Sequence, residues 1–156
     1  MNILFVCSSN QCRSPFCEFA FKKIVEQDPV LRENVTVRSG GVLNPMKELD
    51  PRTIKSLERE GIPKDAYKNF IPTLRKDDPT RFEEADVIIG MTRWHKWRLP
   101  RSERKKFMTL SEAAEGKYTA VPDPWFDPRI STFFKCMDVI KVYLQEYADK
   151  LHDELA

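Results

Sequence analysis

Asn2-Ile3-Leu4-Phe5-Val6-Cys7 is apolar at every position after the first, with no polar alternation. A strand with one wet face alternates, so an unbroken apolar run fits a strand covered on both faces of a parallel sheet. The run is far shorter than the ~20 residues of a membrane span, and no basic residue precedes it as in a signal peptide. Ser14-Pro15 then opens a segment whose Phe16, Phe19, Ala20, Ile24 and Val25 recur at helical spacing, with Pro15 suited to a first turn. Strand, loop, helix is therefore the building unit, and it recurs. Val35-Thr36-Val37 reads as a short strand ending in Ser39-Gly40-Gly41, and Asp50-Pro51 caps a helix with Ile54, Leu57 and a Gly61 stop. Asp78-Pro79 opens another helix before a buried strand over Asp86–Met91. Lys106–Leu110 is a fourth strand candidate, and Thr132–Leu151 a long helix with Phe133, Met137, Ile140, Leu144 and Tyr147 on one stripe. The alternation predicts an α/β fold: a four-stranded parallel sheet with helices on both faces, a flavodoxin-like three-layer sandwich that binds ligands beyond the strands' carboxyl ends. The first such end is Cys7.

With 156 residues and no linker or internal repeat, the chain reads as one domain over 1–156. The net charge of +2 supplies no broad field for nucleic acid or anionic lipid, so an anion site has to be local. Three of the four cysteines, Cys7, Cys12 and Cys17, lie close together and Cys136 lies far away, a layout unlike a disulfide scaffold and consistent with reduced thiols in a cytoplasm. No CxxC or HxxxH pair exists, and His95 and His152 stand far from these cysteines, so no metal site is expected.

Cys7-Ser8-Ser9-Asn10-Gln11-Cys12-Arg13-Ser14-Pro15 joins the first strand to the first helix. At such a turn successive main-chain N–H groups can curl round an oxyanion while the helix dipole adds positive potential, here without the glycines of a Walker loop. The same N–H groups, the helix start and Arg13 favour thiolate over thiol at Cys7, which makes it a nucleophile near neutral pH. The planar fork of Arg13 matches two equatorial oxygens of a phosphoryl group, and the Ser14 hydroxyl is placed to donate to the sulfur. No acidic residue interrupts the turn.

A cysteine, five residues, an arginine and a serine at the end of an N-terminal apolar strand resemble the signature of the low-molecular-weight protein tyrosine phosphatases. The resemblance continues through Ser39-Gly40, Asp50-Pro51-Arg52, Ala85-Asp86-Val87-Ile88-Ile89 with Met91, and Val121-Pro122-Asp123-Pro124, spanning nearly the whole chain. It implies that Cys7 attacks phosphorus, that Ser8, Ser9, Asn10, Gln11, Cys12, Arg13 and Ser14 hold the phosphoryl group, and that an aspartate of a late Asp-Pro loop is the general acid. No cofactor is implied. Asp-Pro occurs five times, at Asp28, Asp50, Asp78, Asp123 and Asp127. Asp50 and Asp78 precede helices as N-caps, and Asp28 interrupts the end of the first helix. Asp123, held between Pro122 and Pro124, is the expected acid, with Asp127 as runner-up. Trp125 and Phe126 are candidates for a wall against a substrate ring, or for packing of the loop itself.

Several positions depart from the family pattern. Ser9 stands where relatives often have glycine. Gln11 occupies a wall position commonly apolar in tyrosine phosphatases and threonine in the related arginine phosphatases. The histidine that helps hold the loop asparagine in many relatives is missing from Gly61–Ala66, and Ser39 is the expected substitute partner of Asn10. Cys12 is near enough to Cys7 for a protective disulfide, or is a small buried residue, while Cys17 and Cys136 read as core. Arg93-Trp94-His95-Lys96-Trp97-Arg98 and the following basic residues, a mixture that also suits RNA, read first as a solvated helix face with Trp94 and Trp97 packing one side inward, the alternative being attraction of acidic stretches of phosphoprotein substrates.

The expected function is hydrolysis of phosphotyrosine in protein substrates, releasing phosphate, by a cytoplasmic monomer with no nucleic-acid or membrane partner. A protein arginine phosphatase and an arsenate reductase of the same fold are the enzymatic alternatives, the latter disfavoured because no cysteine lies between Cys17 and Cys136 to relay a disulfide. A phosphopeptide-binding module is the non-enzymatic one.

Overall fold

The computed structural model describes residues 1–156. Its strands are β1 (Asn2–Cys7), β2 (Thr36–Gly41), β3 (Val87–Gly90) and β4 (Phe107–Thr109), all parallel in the order β2-β1-β3-β4. The helices are α1 (Arg13–Gln27), α2 (Pro29–Asn34), α3 (Pro51–Arg59), α4 (Pro79–Glu83), α5 (Arg101–Arg104), α6 (Leu110–Glu115) and α7 (Ile130–Leu155). None is long and apolar enough to cross a membrane.

β1 is central, and its residues alternate between two cores. Ile3, Phe5 and Cys7 join the larger one with α1, α3, α6 and α7, whereas Leu4 and Val6 join a smaller one with Ile88, Phe82, Ala85 and Leu99. Both faces are dry, so every position from Ile3 onward must be apolar. The chain leaves β1 for β2 on one side and reaches β3 on the other. The carboxyl end of β1 is thus the point where strand order reverses, and it opens a crevice between neighbouring connections.

The Ser39-Gly40-Gly41 terminator lies inside β2, which runs one residue for one beside β1 as far as Cys7↔Gly41. Glycine is required at the end of that pairing: a Cβ at Gly41 would lie 3.0 Å from both Asn10 N and Ser8 O. Asp28 starts a helix that periodicity did not reveal, because α2 is too short to show a stripe; its carboxylate accepts from Val30 N and Leu31 N. Asp78 is not a side-chain cap, because its carboxylate is drawn instead to Arg81, 3.0 Å away. The expected fourth strand ends at Thr109, whose hydroxyl caps α6. The tryptophans do not pack inward: Trp94 and Trp97 are exposed, and His95 and Leu99 point into the protein instead. The 93–98 segment is 3₁₀ helix, whose three-residue turn changes which side chains share a face.

The larger core centres on Phe21, fully buried, edge-on to Phe5 at 5.5 Å and stacked on Tyr147 at 5.7 Å, joining β1, α1 and α7. Phe21→Ala is expected to cost about 3–5 kcal/mol, read as a lower urea midpoint with unchanged slope.

Candidate active site

The loop Ser8–Cys12 is tied to the rest of the protein through its carbonyls and not through its N–H groups. Ser8 O accepts from Val42 N and Leu43 N, Gln11 O from Asp50 N and the Thr53 hydroxyl, and Cys12 O from Phe16 N. No main-chain N–H from Ser8 to Ser14 donates to a protein atom. The turn is made at Asn10, which is fully buried in the left-handed region at φ 55°. Its Nδ2 donates to Ser14 Oγ and Ser39 Oγ, both at 2.9 Å, and its Oδ1 accepts from Thr73 N at 3.0 Å. Ser39 in turn donates to Glu18 Oε1 at 2.6 Å, and Lys22 closes the chain on Glu18 Oε2 at 2.7 Å.

Cys7 Sγ lies 3.0 Å from Ser14 Oγ. Because Asn10 already donates to that oxygen and the alternative acceptor Gly40 O is 3.4 Å away, the shortest route for the Ser14 hydroxyl proton is to the sulfur. The other cysteines are a contrast. Burial, then the Asp50 carboxylate, pushes Cys12 far above the usual thiol range, and its Sγ points at Asp50 Oδ2, 3.7 Å away. Burial holds Cys17 a thiol likewise and raises Cys136, which is only partly buried, to about 11. All four are free.

Arg13 is buried at the first position of α1 and donates from Nη1 to Val121 O at 2.8 Å, tying the loop to a segment 108 residues away. Its Nη2 is 3.5 Å from Asp123 Oδ2. Its Nε is the one buried side-chain polar atom in the protein without a hydrogen-bond partner. Asp123 also accepts from Trp125 N at 3.0 Å, capping the 3₁₀ turn Pro124–Phe126. Asp127 is engaged elsewhere: Arg129 grips its carboxylate at 2.7 Å and from Nε at 3.1 Å, and holds it well below the usual carboxylate range. Asp123, not Asp127, lines the cleft with Cys7 and Arg13.

That cleft has a volume of about 500 Å³. Ser8, Ser9, Gln11 and Cys12 form its floor and near side; Leu43, Met46, Trp125 and Phe126 form apolar walls. Trp125 and Phe126 stand half or more exposed, edge to face at 5.2 Å. Leu43, Asn44 and Met46 carry no sequence signal beyond following β2, since their part depends on how the loop after Gly41 folds over Ser8.

Two further residues were missed as site elements. Arg52 clamps the Asp123 loop: Nη1 donates to Asp127 O at 2.6 Å and Pro124 O at 3.4 Å, and Nη2 to Trp125 O at 3.4 Å. It lies over the Phe133 ring and is held by Asp50, so the far end of the phosphate-type loop and the Asp123 loop share one ion pair. The Asp-Pro-Arg spacing is visible in sequence, but its partners are not. His95 accepts from Thr92 N at Nδ1, which leaves Nε2–H to face Ser8 Oγ at 3.4 Å. Burial, then the Arg13 cation, pushes its imidazole down to about 3. A histidine kept neutral when folded contributes stability above its unfolded value, near 6.5, and loses it as pH falls toward about 3. Urea titrations at pH 7 and 4.5 are expected to show a smaller acid loss for His95→Gln than for the parent protein.

No group of three His, Cys, Asp or Glu side chains is placed to hold a metal ion. Residues 2–156 match the family model described as low molecular weight phosphotyrosine protein phosphatase. The protein-arginine-phosphatase of Bacillus subtilis is 32% identical over 155 residues, 97% of each chain. A YwlE arginine phosphatase mutant with a phosphorylated active site serine superposes with a TM-score of 0.81 at 31% identity, covering 97% of this chain and 95% of that one. The solution structure of a low molecular weight protein tyrosine phosphatase from Bacillus subtilis gives 0.79 at 32% identity, with 99% of each chain covered. With a match over essentially its whole length, this chain belongs to the low molecular weight phosphotyrosine protein phosphatase family.

Proposed function

We propose that this member of the phosphatase family hydrolyses phosphotyrosine in proteins through a cysteinyl-phosphate at Cys7. The observation that carries the reading is the run of unspent donors that follows Cys7: the N–H groups of Ser8–Ser14, which bond no protein atom, and the buried, unpartnered Nε of Arg13. Buried donors without acceptors are costly, and an oxyanion supplies the acceptors. The apolar walls of Leu43, Met46, Trp125 and Phe126 favour an aryl leaving group over a short alkyl one.

In this mechanism the Cys7 thiolate attacks phosphorus in line, forming S–P as the P–O bond to the phenol breaks. Asp123, protonated, gives its proton to the leaving oxygen, and the Ser14 O–H steadies the sulfur. Water then attacks the cysteinyl-phosphate, ionised Asp123 takes its proton, and S–P cleavage returns the thiolate with release of inorganic phosphate. Arg13 and the main-chain N–H groups meet the equatorial oxygens in both steps. A phosphorylated serine in the active site of a related mutant supports attack by a residue of the protein itself.

A second reading, phosphoarginine in place of phosphotyrosine, is favoured by the 32% identity to a protein-arginine-phosphatase and by the polar Gln11 on the cleft. Matched phosphotyrosine, phosphoarginine and phosphoserine peptides separate the two: fastest phosphate release from phosphotyrosine is expected, fastest release from phosphoarginine overturns the main reading, and Cys7→Ser abolishes either. Asp123→Ala is expected to lower kcat about 10²- to 10⁴-fold while phosphate still binds. Arg52→Ala loosens the acid's loop without removing the acid. Its kcat is expected to fall roughly tenfold with phenyl phosphate and much less with 2,4-dinitrophenyl phosphate, whose phenolate leaves without a proton.

A further inference from the structure

The rim of the cleft on the β3 side carries a cationic, aromatic surface that the chemistry does not use. Between Arg93 and Lys106 seven residues are Lys or Arg and a single one, Glu103, is acidic, in a chain whose whole net charge is only +2. Glu103 does not neutralise this surface: it is buried and turned to Arg75, at 2.6 and 2.8 Å. Arg93 pairs with Glu112. Lys96, Arg98, Arg101, Arg104, Lys105 and Lys106 have no carboxylate within 4.0 Å.

Two tryptophans stand among these cations, Trp94 at 46% and Trp97 at 63% exposure. Arg98 lies over Trp94 at 5.6 Å, and Trp97 is flanked by Lys96 at 5.7 Å and Arg104 at 5.2 Å. Large aromatics left in water beside uncompensated cations mark a surface that a partner covers. It lies near the cleft: Trp94 meets the ring of the buried His95 edge-on at 5.6 Å, and His95 faces Ser8, a cleft residue, at 3.4 Å. A single side chain, His95, stands between Ser8 of the reacting sulfur's loop and Trp94 of the patch.

We infer that Trp94, Trp97, Arg98 and Arg101 form a docking surface for an acidic segment of the phosphoprotein substrate, a few residues from the phosphorylated side chain. Charge complementarity commits the occupant to acidic chain, and nearness to the cleft through His95 commits it to the molecule whose phosphoryl group is being removed, an inference that rests on the proposed function. Carboxylates pair with the open guanidinium groups while the tryptophans cover the intervening apolar surface.

The test compares phosphopeptides, each in phosphotyrosine and phosphoarginine form, with four glutamates or four glutamines on either flank. With the parent protein kcat/KM is expected to favour an acidic flank about tenfold at low salt, collapsing toward about twofold near 0.5 M NaCl. Arg98→Glu combined with Arg101→Glu, and separately Trp97→Ala, are expected to erase most of that preference while leaving p-nitrophenyl phosphate turnover unchanged. No preference in the parent, or one that survives in both variants, overturns the inference. If no phosphopeptide is hydrolysed, the proposed function fails but docking is still decided: salt-sensitive binding of a fluorescent glutamate-rich peptide, lost in the double variant, supports it, and equal or absent binding overturns it. Tighter binding of an RNA oligonucleotide or of phosphatidylserine vesicles than of that peptide overturns the assignment to acidic protein.

Discussion

Asn10 is the residue on which the site depends. A loop that bonds the protein through its carbonyls and leaves its N–H groups unspent has to turn between β1 and α1, and Asn10 makes that turn in a conformation disfavoured for most side chains. Its three hydrogen bonds reach α1 through Ser14, β2 through Ser39 and the chain near Thr73, so elements distant in sequence hold one strained residue in place. The buried Glu18 continues the support to Lys22 at the surface. Preorganisation of this kind places donors before an anion arrives, so binding reorganises little.

Charge pairing then sorts the acidic groups by role. Asp50, Asp127 and Glu103 are each gripped by an arginine, through Arg52, Arg129 and Arg75, with contacts between 2.6 and 3.3 Å. A carboxylate so held serves structure. Asp123 stands apart at 3.5 Å from the Arg13 fork, part exposed and lining the cleft with Cys7. The cysteines divide by their neighbours: Cys12 faces a carboxylate and Cys17 is sealed in the core, whereas Cys7 faces the Ser14 hydroxyl and lines the cleft.

The positions legible in advance were those governed by local physics. β1, α3 and the stripe of α7 follow from hydrophobic period and from Asp-Pro starts, and the Cys7–Ser14 turn follows from a strand end meeting a helix start. Short elements escaped: α2, α5 and α6 complete too few turns to show a period. Asp78 failed as a cap because Arg81 and Arg38 compete for its carboxylate. Trp94 and Trp97 were placed inside by helical spacing, yet 3₁₀ geometry turned His95 and Leu99 inward instead.

The amino-acid order alone determined that an amide-lined turn with Cys7 at its mouth and Arg13 at its far end sits on the central strand, since strand end, loop and helix start are neighbours along the chain and their N–H groups point where local geometry sends them. Tertiary structure decided which aspartate faces that turn, that Arg52 ties the Asp123 loop to it, that His95 supports Ser8, and that a tryptophan-studded cationic rim lies beside the cleft. Those relations join residues 72 to 110 positions apart. Across such separations the partner of a charge is chosen by how helices pack on the sheet, a matter of global shape that no local pattern encodes.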